Sequence, residues 1–192
     1  MILKDIVTLD ESSGYSLAGS FTSDLVFSKL WLMRELAKIS PQVDTMYILG
    51  SWYGNLALLL TRYPQVQVDQ IINVETNPEF LKGSKRILNQ AEVDNVEYML
   101  ADANKLDYRQ LGTDGAVINT SLIDIKGTDW FENIPQGALV AMQARDHVEN
   151  EQFNNPEDIA QKFPLKQVLY SGSLDLEDPE TAYTRFMVIG TK

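Results

Sequence analysis

A strand, a glycine turn, a helix and a second strand follow one another in the first half of this chain. The apolar run TMYILG (45–50) is predicted as a buried strand, and it leads into a turn bracketed by Gly50 and Gly54. NLALLLTRY (55–63) is predicted as a helix, and VQVDQIINVE (66–75) as the next strand. Such a βαβ unit requires parallel strands, and parallel sheets are covered by helices on both faces.

The alternation of strands and helices continues on both sides of this unit. Asn77 and Pro78 form a helix start, with asparagine as the cap and proline at the first helical position. The predicted elements are helices at 22–40 and 76–91, strands at 96–101, 116–121 and 138–143, and a terminal hairpin of 166–176 and 183–192. The pattern indicates a single α/β domain over residues 1–192, with a mostly parallel sheet covered on both faces.

The first 40 residues are predicted as an N-terminal segment that ends in the helix 22–40. The stretch SSGYSLAGSFTS (12–23) is rich in glycine and serine. It forms either a lid that excludes water from an active site or a plain surface lead-in. Within the helix, the spacing of Trp31 favours a place in the core over contact with a ligand.

Composition excludes several classes of function. The 27 acidic and 16 basic residues of the 192-residue chain give a net charge of −11, which disfavours binding to nucleic acid. The absence of cysteine excludes disulfides and thiol nucleophiles, and a single histidine argues against a metal site. Because no apolar run approaches the roughly 20 residues of a membrane span and the N-terminus lacks signal-peptide character, we expect a soluble, cytoplasmic protein.

The glycine turn after the first strand is a candidate ligand site. Ligands of parallel α/β sheets bind outside the carboxyl ends of the strands, where glycine lets the backbone approach them closely. The turn is no P-loop, because no Lys-Ser or Lys-Thr pair follows it. It is no G-x-G-x-x-G motif either, because Trp52 and Asn55 stand where glycines belong. Taken alone, the two glycines are equally compatible with a tight connection.

Acidic side chains follow the next two predicted strands. Glu75 ends IINVE, roughly 20 residues after the turn, where an acid accepts hydrogen bonds from ribose hydroxyls. Asp102 in LADAN follows the third strand and can accept a hydrogen bond from an adenine amino group. Each acid alone is also explained as a surface cap. Three successive strand ends that carry a turn, a ribose acid and a base acid favour a nucleoside-containing ligand.

The motifs ILGSWYG, NVETNP, LADAN and AVINTS stand in the order and spacing of the first four motifs of class I S-adenosylmethionine-dependent methyltransferases, which this sequence resembles. The resemblance implies a Rossmann-like, seven-stranded sheet with an antiparallel last strand, and S-adenosylmethionine as the cofactor. FSKLWLMREL, VINTS, NIPQGALVAMQ and YTRFMVIG are similar to a group of bacterial and phage methyltransferases without an assigned substrate. That similarity covers nearly the whole chain.

The resemblance also implies places for the cofactor. The positions that match the family's cofactor-binding motifs are Gly50, Ser51, Trp52, Gly54, Glu75, Asp102 and Ala103. The turn holds the amino-acid and ribose side, Glu75 the ribose, and Asp102 with Ala103 the adenine. Two positions depart from the family pattern. Ile48 stands where an acid is common, and Trp52 replaces the middle glycine, so that its ring either covers the cofactor pocket or fills it.

Candidate catalytic residues follow the fourth and fifth strands. They are Asn119, Ser121, Asp124 and His147. Asn119 occupies the fourth-motif position, at which family members orient the acceptor or contact the cofactor. Asp124 or His147 can take a proton from an oxygen or nitrogen acceptor, although an exposed loop histidine is the plainer interpretation of His147. Arg145 either binds an acidic substrate or pairs with Asp146.

Three functions remain open at this point. The first is methyl transfer to a small molecule or a protein side chain. NTSLID is not the Asp/Asn-Pro-Pro-Tyr type that suits amino groups of bases, which disfavours nucleic-acid methylation. The second is other sulfonium chemistry with the same cofactor, such as aminocarboxypropyl transfer. The third is a binding or regulatory module in which Trp52 closes the pocket.

Overall fold

A computed structural model describes residues 18–112, 114–146, 153–178 and 181–192. Its centre is a seven-stranded sheet in the order β3-β2-β1-β4-β5-β7-β6. The strands are β1 Gln42–Leu49, β2 Gln67–Glu75, β3 Val96–Leu100, β4 Ala116–Asn119, β5 Leu139–Arg145, β6 Gln167–Glu177 and β7 Ala182–Thr191. Only β7 runs antiparallel to its neighbours β5 and β6. The predicted sheet with an antiparallel last strand is therefore confirmed.

Five α-helices join these strands in the described part of the chain: α1 Ser23–Ile39, α2 Asn55–Thr61, α3 Pro78–Gln90, α4 Asp129–Glu132 and α5 Pro156–Lys162. Two 3-10 helices cover Ala18–Phe21 and Ala103–Lys105. Asn77 caps α3 as predicted, and Asn155 caps α5, a helix that the sequence analysis missed. No described helix is long and apolar enough to cross a membrane.

Helices cover both faces of the sheet, as predicted. Side chains of β1 alternate between the faces because successive residues of a strand point in opposite directions. Met46 and Ile48 pack into the cluster formed with α1, α2 and α3, whereas Tyr47 and Leu49 pack into the cluster that contains α4 and α5. Trp31 of α1 belongs to the first cluster, and its Nε1 donates to the Tyr170 hydroxyl at 3.0 Å.

The strand order reverses at β1. From β1 the chain moves to β2 and β3 on one side, and it returns to place β4 on the other side. In open α/β sheets this reversal leaves a crevice outside the carboxyl ends of the strands, where ligands bind. The glycine turn after β1 therefore lies at the expected position for a ligand site. Residues 12–17 of the predicted lid and His147 lie outside the described residues.

Candidate functional site

A cavity of about 940 Å³ opens at the carboxyl ends of the strands. The turn after β1, the ends of β2 and β3, the segment after β4 and the first residues of β7 all contribute to its walls. Of the residues predicted from the sequence, the cavity is lined by Gly50, Ser51, Trp52, Glu75, Asp102, Ala103, Ser121 and Asp124. With residues of α1 and the end of β5, seven separate segments of the chain therefore line one cavity.

The turn after β1 contains three residues with positive φ. Gly50 has φ +61°, Trp52 +51° and Gly54 +74°. Left-handed backbone costs a residue with a Cβ about 1–2 kcal/mol, so Trp52 adopts this conformation at some cost in stability. A side chain at Gly50 would meet the Ser121 Cβ and Oγ at 3.0 Å. Glycine at this position therefore lets the turn approach the segment after β4.

Glu75 fastens this turn to the end of β2. Its Oε2 accepts a hydrogen bond from the Trp52 backbone N–H at 2.9 Å. Its Oε1 accepts from the backbone N–H groups of Thr76 at 2.8 Å and Asn77 at 3.0 Å. Because a carboxylate has about four lone-pair sites, Oε2 can still accept a further hydrogen bond from a ligand in the cavity.

The Trp52 ring forms part of the cavity wall. It packs against the rings of Tyr53 and Phe80, with centroids 5.7 and 6.1 Å away, and it is half-buried. A cavity remains beside it, so the indole does not fill this space. The side chain of Ile48, at the other departure from the family pattern, also lines the cavity and is buried.

Gly54 contributes to packing and does not line the cavity. A Cβ at this position would lie 2.2 Å from the Ser84 Oγ of α3 and 3.1 Å from the Asn73 Nδ2. Asn73 donates to the Ser84 Oγ at 3.2 Å, which joins β2 to α3 beneath the turn. The glycine therefore allows α2 to begin directly against α3.

Asp102 and Ala103 lie where β3 gives way to a 3-10 helix. The Asp102 carboxylate caps this helix by accepting from the Asn104 backbone N–H at 3.0 Å. Asn104 in turn donates through Nδ2 to the Lys126 carbonyl at 2.7 Å. These bonds connect the β3 end of the cavity to the segment after β4. Asp102 thus serves both as a surface cap and as a cavity residue, which were the two interpretations of this acid.

The predicted catalytic residues divide into two groups. Ser121 and Asp124 line the cavity, and Asp124 is exposed to solvent. Asn119 lies behind the wall: it is fully buried, and its Oδ1 accepts from the Ser121 backbone N–H at 2.9 Å. Its arrangement suits positioning of Ser121. Gln143 is also buried, accepting from the Ser28 Oγ at 3.0 Å and so joining α1 to β5.

Four charged residues and a tyrosine form a cluster on the side of the cavity that α1, β5 and β7 provide. Its members are Asp24, Lys29, Arg145, Tyr183 and Arg185, all of which line the cavity. The Tyr183 hydroxyl donates to the Asp24 Oδ2 at 2.7 Å, and Arg185 donates to the Thr120 carbonyl at 2.7 Å. The ion pair of Arg145 is with Asp178, at 3.5 Å, and not with Asp146, as one interpretation of the sequence had it.

Burial shifts the ionisation of this cluster. It lowers the pKa of Lys29 to about 7, and the positive charge of Arg185 lowers it further than the Asp24 carboxylate raises it. Burial raises the pKa of Tyr183 to about 12, and its hydrogen bond to Asp24 acts in the same direction. Burial alone would raise the pKa of Asp24, but hydrogen bonds from Thr22 and Tyr183 lower it, so this carboxylate is ionised at neutral pH.

Lys29 and Arg185 were not among the predicted site residues, although both stand in an unusual sequence context. Lys29 lies four residues after Leu25 and three before Leu32, which puts a charged residue on the apolar face of α1. Arg185 interrupts the apolar strand YTRFMVIG. A charge on a buried stripe needs a partner or a function. That is the signal by which both residues are detectable.

Comparison with known proteins indicates the fold. No protein-family profile and no curated protein matches the chain. Among solved structures, N-methyltransferase NodS from Bradyrhizobium japonicum WM9 in complex with S-adenosyl-L-homocysteine has a TM-score of 0.69 at 6% identity, covering 98% of this chain and 96% of NodS. TYW2 from M. jannaschii in complex with AdoMet has a TM-score of 0.58 at 14% identity, covering 92% and 81%.

A third similar structure belongs to a longer protein. Trm5b from Pyrococcus abyssi has a TM-score of 0.61 at 15% identity over 90% of this chain, which spans 50% of the length of Trm5b. All three similarities lie below 25% identity and concern the fold. The strand order, the antiparallel β7 and these similarities show that the chain has the Rossmann-like fold of the class I S-adenosylmethionine-dependent methyltransferases.

Proposed function

We propose that the chain is an S-adenosylmethionine-dependent methyltransferase that acts on a small molecule or a protein side chain. Glu75 is the observation that carries this proposal. Its carboxylate fastens the turn after β1, lines the cavity and retains a free lone-pair site, as a ribose-binding acid in this fold requires. The net charge of −11 keeps nucleic acid outside the proposed acceptors.

The volume of the cavity is large enough for a nucleoside cofactor. Its volume of about 940 Å³ lies at the upper end of the roughly 300–1,000 Å³ that small-molecule sites occupy. The Ser51 Oγ is buried at the cavity and has no hydrogen-bond partner among the described residues, so a polar ligand group can satisfy it. Glu75 and Asp102 offer acceptors for hydroxyl and amino groups at the β2 and β3 ends.

Methyl transfer depends mainly on the position of the acceptor atom relative to the methyl group of the cofactor. S-adenosylmethionine, when bound, supplies a methyl group on a sulfonium that is already activated for transfer. The chain must then hold the acceptor atom about 3–3.5 Å from the methyl carbon. In this proposal the Ser121 hydroxyl orients the acceptor, Asn119 holds Ser121 in place, and Asp124 accepts the proton that an oxygen or nitrogen acceptor loses. His147 stays a prediction for the same proton transfer.

The first experiment is a calorimetric titration with S-adenosylmethionine and, separately, with S-adenosylhomocysteine. Micromolar binding of both is expected, accompanied by a change in the fluorescence of Trp52, which lines the cavity. Trp52→Phe should keep most of the binding heat and lose most of the fluorescence change. A cooperatively folded protein that binds neither compound would contradict the proposal and favour a binding module of another kind.

Product analysis then identifies the bond that breaks. Incubation with S-adenosylmethionine and a panel of acceptors should release S-adenosylhomocysteine, the product of methyl transfer. Methylthioadenosine would instead indicate aminocarboxypropyl transfer from the same cofactor. The second product would leave the cofactor assignment intact and reject methyl transfer.

Glu75→Ala is expected to weaken S-adenosylhomocysteine binding by about 10- to 150-fold, the equivalent of a lost charge-assisted hydrogen bond of roughly 1.5–3 kcal/mol. The loss has two causes, because the variant removes an acceptor for the ligand and also releases the Trp52 N–H that holds the turn. Glu79→Ala is the control, since it removes an exposed carboxylate near the start of the next helix. Equal affinities of a folded Glu75→Ala variant and the parent protein would remove Glu75 from the site.

A further inference from the structure

Three cationic side chains line the cavity on the side away from Glu75 and Asp102. We call Lys29 of α1, Arg145 at the end of β5 and Arg185 of β7 the cationic cluster. Arg145 and Arg185 are register partners in the β5–β7 ladder, so their side chains start from adjacent positions. The positive charge of Arg185 lowers the pKa of the Lys29 amine, and that of Arg145 lowers the pKa of Arg185. The three residues therefore form one electrostatic unit.

The cationic cluster has more hydrogen-bond donors than its described surroundings accept. Arg185 donates through Nη2 to the Thr120 carbonyl at 2.7 Å, and Arg145 through Nη1 to the Asp178 Oδ2 at 3.5 Å. The Nε atoms of both arginines are buried without a partner among the described residues. The Lys29 amine makes no hydrogen bond to a described residue. Only burial and the charges of neighbouring residues shift its pKa.

The charges in this region do not balance either. Asp24 and Asp178 are the carboxylates that line this side of the cavity among the described residues, against two arginines and a lysine whose pKa burial lowers to about 7. Asp24 already accepts the hydroxyl of Tyr183. Lys29 and Arg185 are only 6% and 7% exposed, and burial of a cation without full compensation is costly. An anion in the cavity would remove this cost.

Strand order separates the cationic cluster from the proposed ribose and adenine positions. Glu75 and Asp102 follow β2 and β3, whereas Arg145 and Arg185 belong to β5 and β7 on the other side of β1. At about 4.8 Å between neighbouring strands, β2 and β5 lie roughly 14 Å apart. One cavity therefore has a side suited to a nucleoside and a second side rich in cations.

We propose that the methyl acceptor carries an anionic group, a carboxylate or a phosphate, which binds to the cationic cluster. This inference rests on the proposed function. Guanidinium groups present planar pairs of N–H donors that match two oxygens of such an anion, and the Lys29 ammonium adds a point charge. Anchored there, the acceptor extends toward Ser121 and Asp124 after β4, on its way to the cofactor side.

The test uses ¹⁵N-labelled protein, once free and once saturated with S-adenosylhomocysteine, and each form is titrated by NMR with inorganic phosphate or acetate. Saturable shifts of the Thr120 and Arg185 amides are expected, and the stronger of the two ions indicates the kind of anionic group. Lys29→Met and Arg145→Met should each weaken the binding at least about tenfold. Lys126→Met is the matched control, because Lys126 lines the same cavity after β4, and it should change the affinity less than about twofold.

Three outcomes would overturn the anion site. They are the absence of saturable shifts, an equal effect of Lys126→Met, and phosphate binding that S-adenosylhomocysteine abolishes. The last outcome would mean that the cationic cluster holds the carboxylate of the cofactor, and methylthioadenosine, which lacks that carboxylate, would then leave phosphate binding intact. Failure of S-adenosylhomocysteine to bind contradicts the proposed function instead, so the two failures are distinguishable.

Discussion

Lys29→Met is expected to unfold at a higher urea concentration than the parent protein at pH 7. Burial and the neighbouring Arg185 lower the pKa of the Lys29 amine from 10.5 to about 7. At 1.36 kcal/mol for each pKa unit, this corresponds to on the order of 5 kcal/mol of unfolding free energy. Methionine keeps the length of the side chain without an amine that must be desolvated. A residue that lowers stability at a cavity wall is typical of a functional position.

The increase in unfolding free energy caused by Lys29→Met should be larger at low pH than at high pH. Between about pH 7 and 10.5 the unfolded chain binds a proton at Lys29 that the folded protein does not, so the stability of the parent protein rises with pH there. The advantage of the variant is therefore full below pH 7 and shrinks by up to about 1.4 kcal/mol for each pH unit above it. Urea unfolding at pH 6.5 and pH 9 measures the difference.

Lys82→Met is the control for the change in net charge. The Lys82 side chain is 80% exposed on α3, so its replacement removes one positive charge without relieving burial. We expect this variant to differ from the parent protein by less than about 0.5 kcal/mol at either pH. A pH-independent gain for Lys29→Met would show that better packing, and not the titration of the amine, is its cause.

Gly54→Ala is expected to lower the unfolding free energy by roughly 2–5 kcal/mol. Left-handed backbone at φ +74° costs an alanine about 1–2 kcal/mol. The new Cβ would also lie 2.2 Å from the Ser84 Oγ, and overpacking of this kind costs about 1–3 kcal/mol more. Because Gly54 is the N-cap of α2 and ends the turn after β1, the displacement should extend to the turn and weaken S-adenosylhomocysteine binding as well.

Alanine variants of two other glycines distinguish the cost of left-handed backbone from the cost of overpacking. Gly137 has φ +91° and open space around it, so Gly137→Ala measures the backbone cost alone. Gly112 has neither a positive φ nor a neighbour within 4 Å, and Gly112→Ala should be neutral or slightly stabilising. Ser84→Ala should recover part of the loss when combined with Gly54→Ala, since it removes the clashing oxygen. If Gly54→Ala costs no more than Gly137→Ala, the contact with Ser84 is unimportant.

Several features of the site followed from the sequence because they depend on local pattern and chain order. The alternation of apolar strands and helices predicts the covered parallel sheet, and strands that end together bring Glu75 and Asp102 to one edge. The glycine turn belongs to the same prediction. Its two glycines nevertheless have different tasks: Gly50 lines the cavity, and Gly54 packs against Ser84. That difference depends on α3, which is distant in the sequence.

Other features depended on the tertiary structure alone. The replacement of a glycine by Trp52 left open whether the pocket exists, and the packing of the indole on Tyr53 and Phe80 keeps it open. Asn119 is a motif residue by position, but its burial removes it from the cavity wall. Burial and packing are properties of neighbours in space, which the residue type does not specify.

The sequence by itself determined the α/β fold, the place of the cavity and the two acids at the ends of β2 and β3 that line it, because periodicity and strand ends are local properties of the chain. Only the tertiary structure brought Lys29, Arg145 and Arg185 together. The first comes from a helix near the N-terminus, and the other two meet through the antiparallel register of β5 with β7. More than 100 positions separate Lys29 from either arginine, so no local pattern links them. Their shared electrostatics arises from the way α1 packs across the sheet.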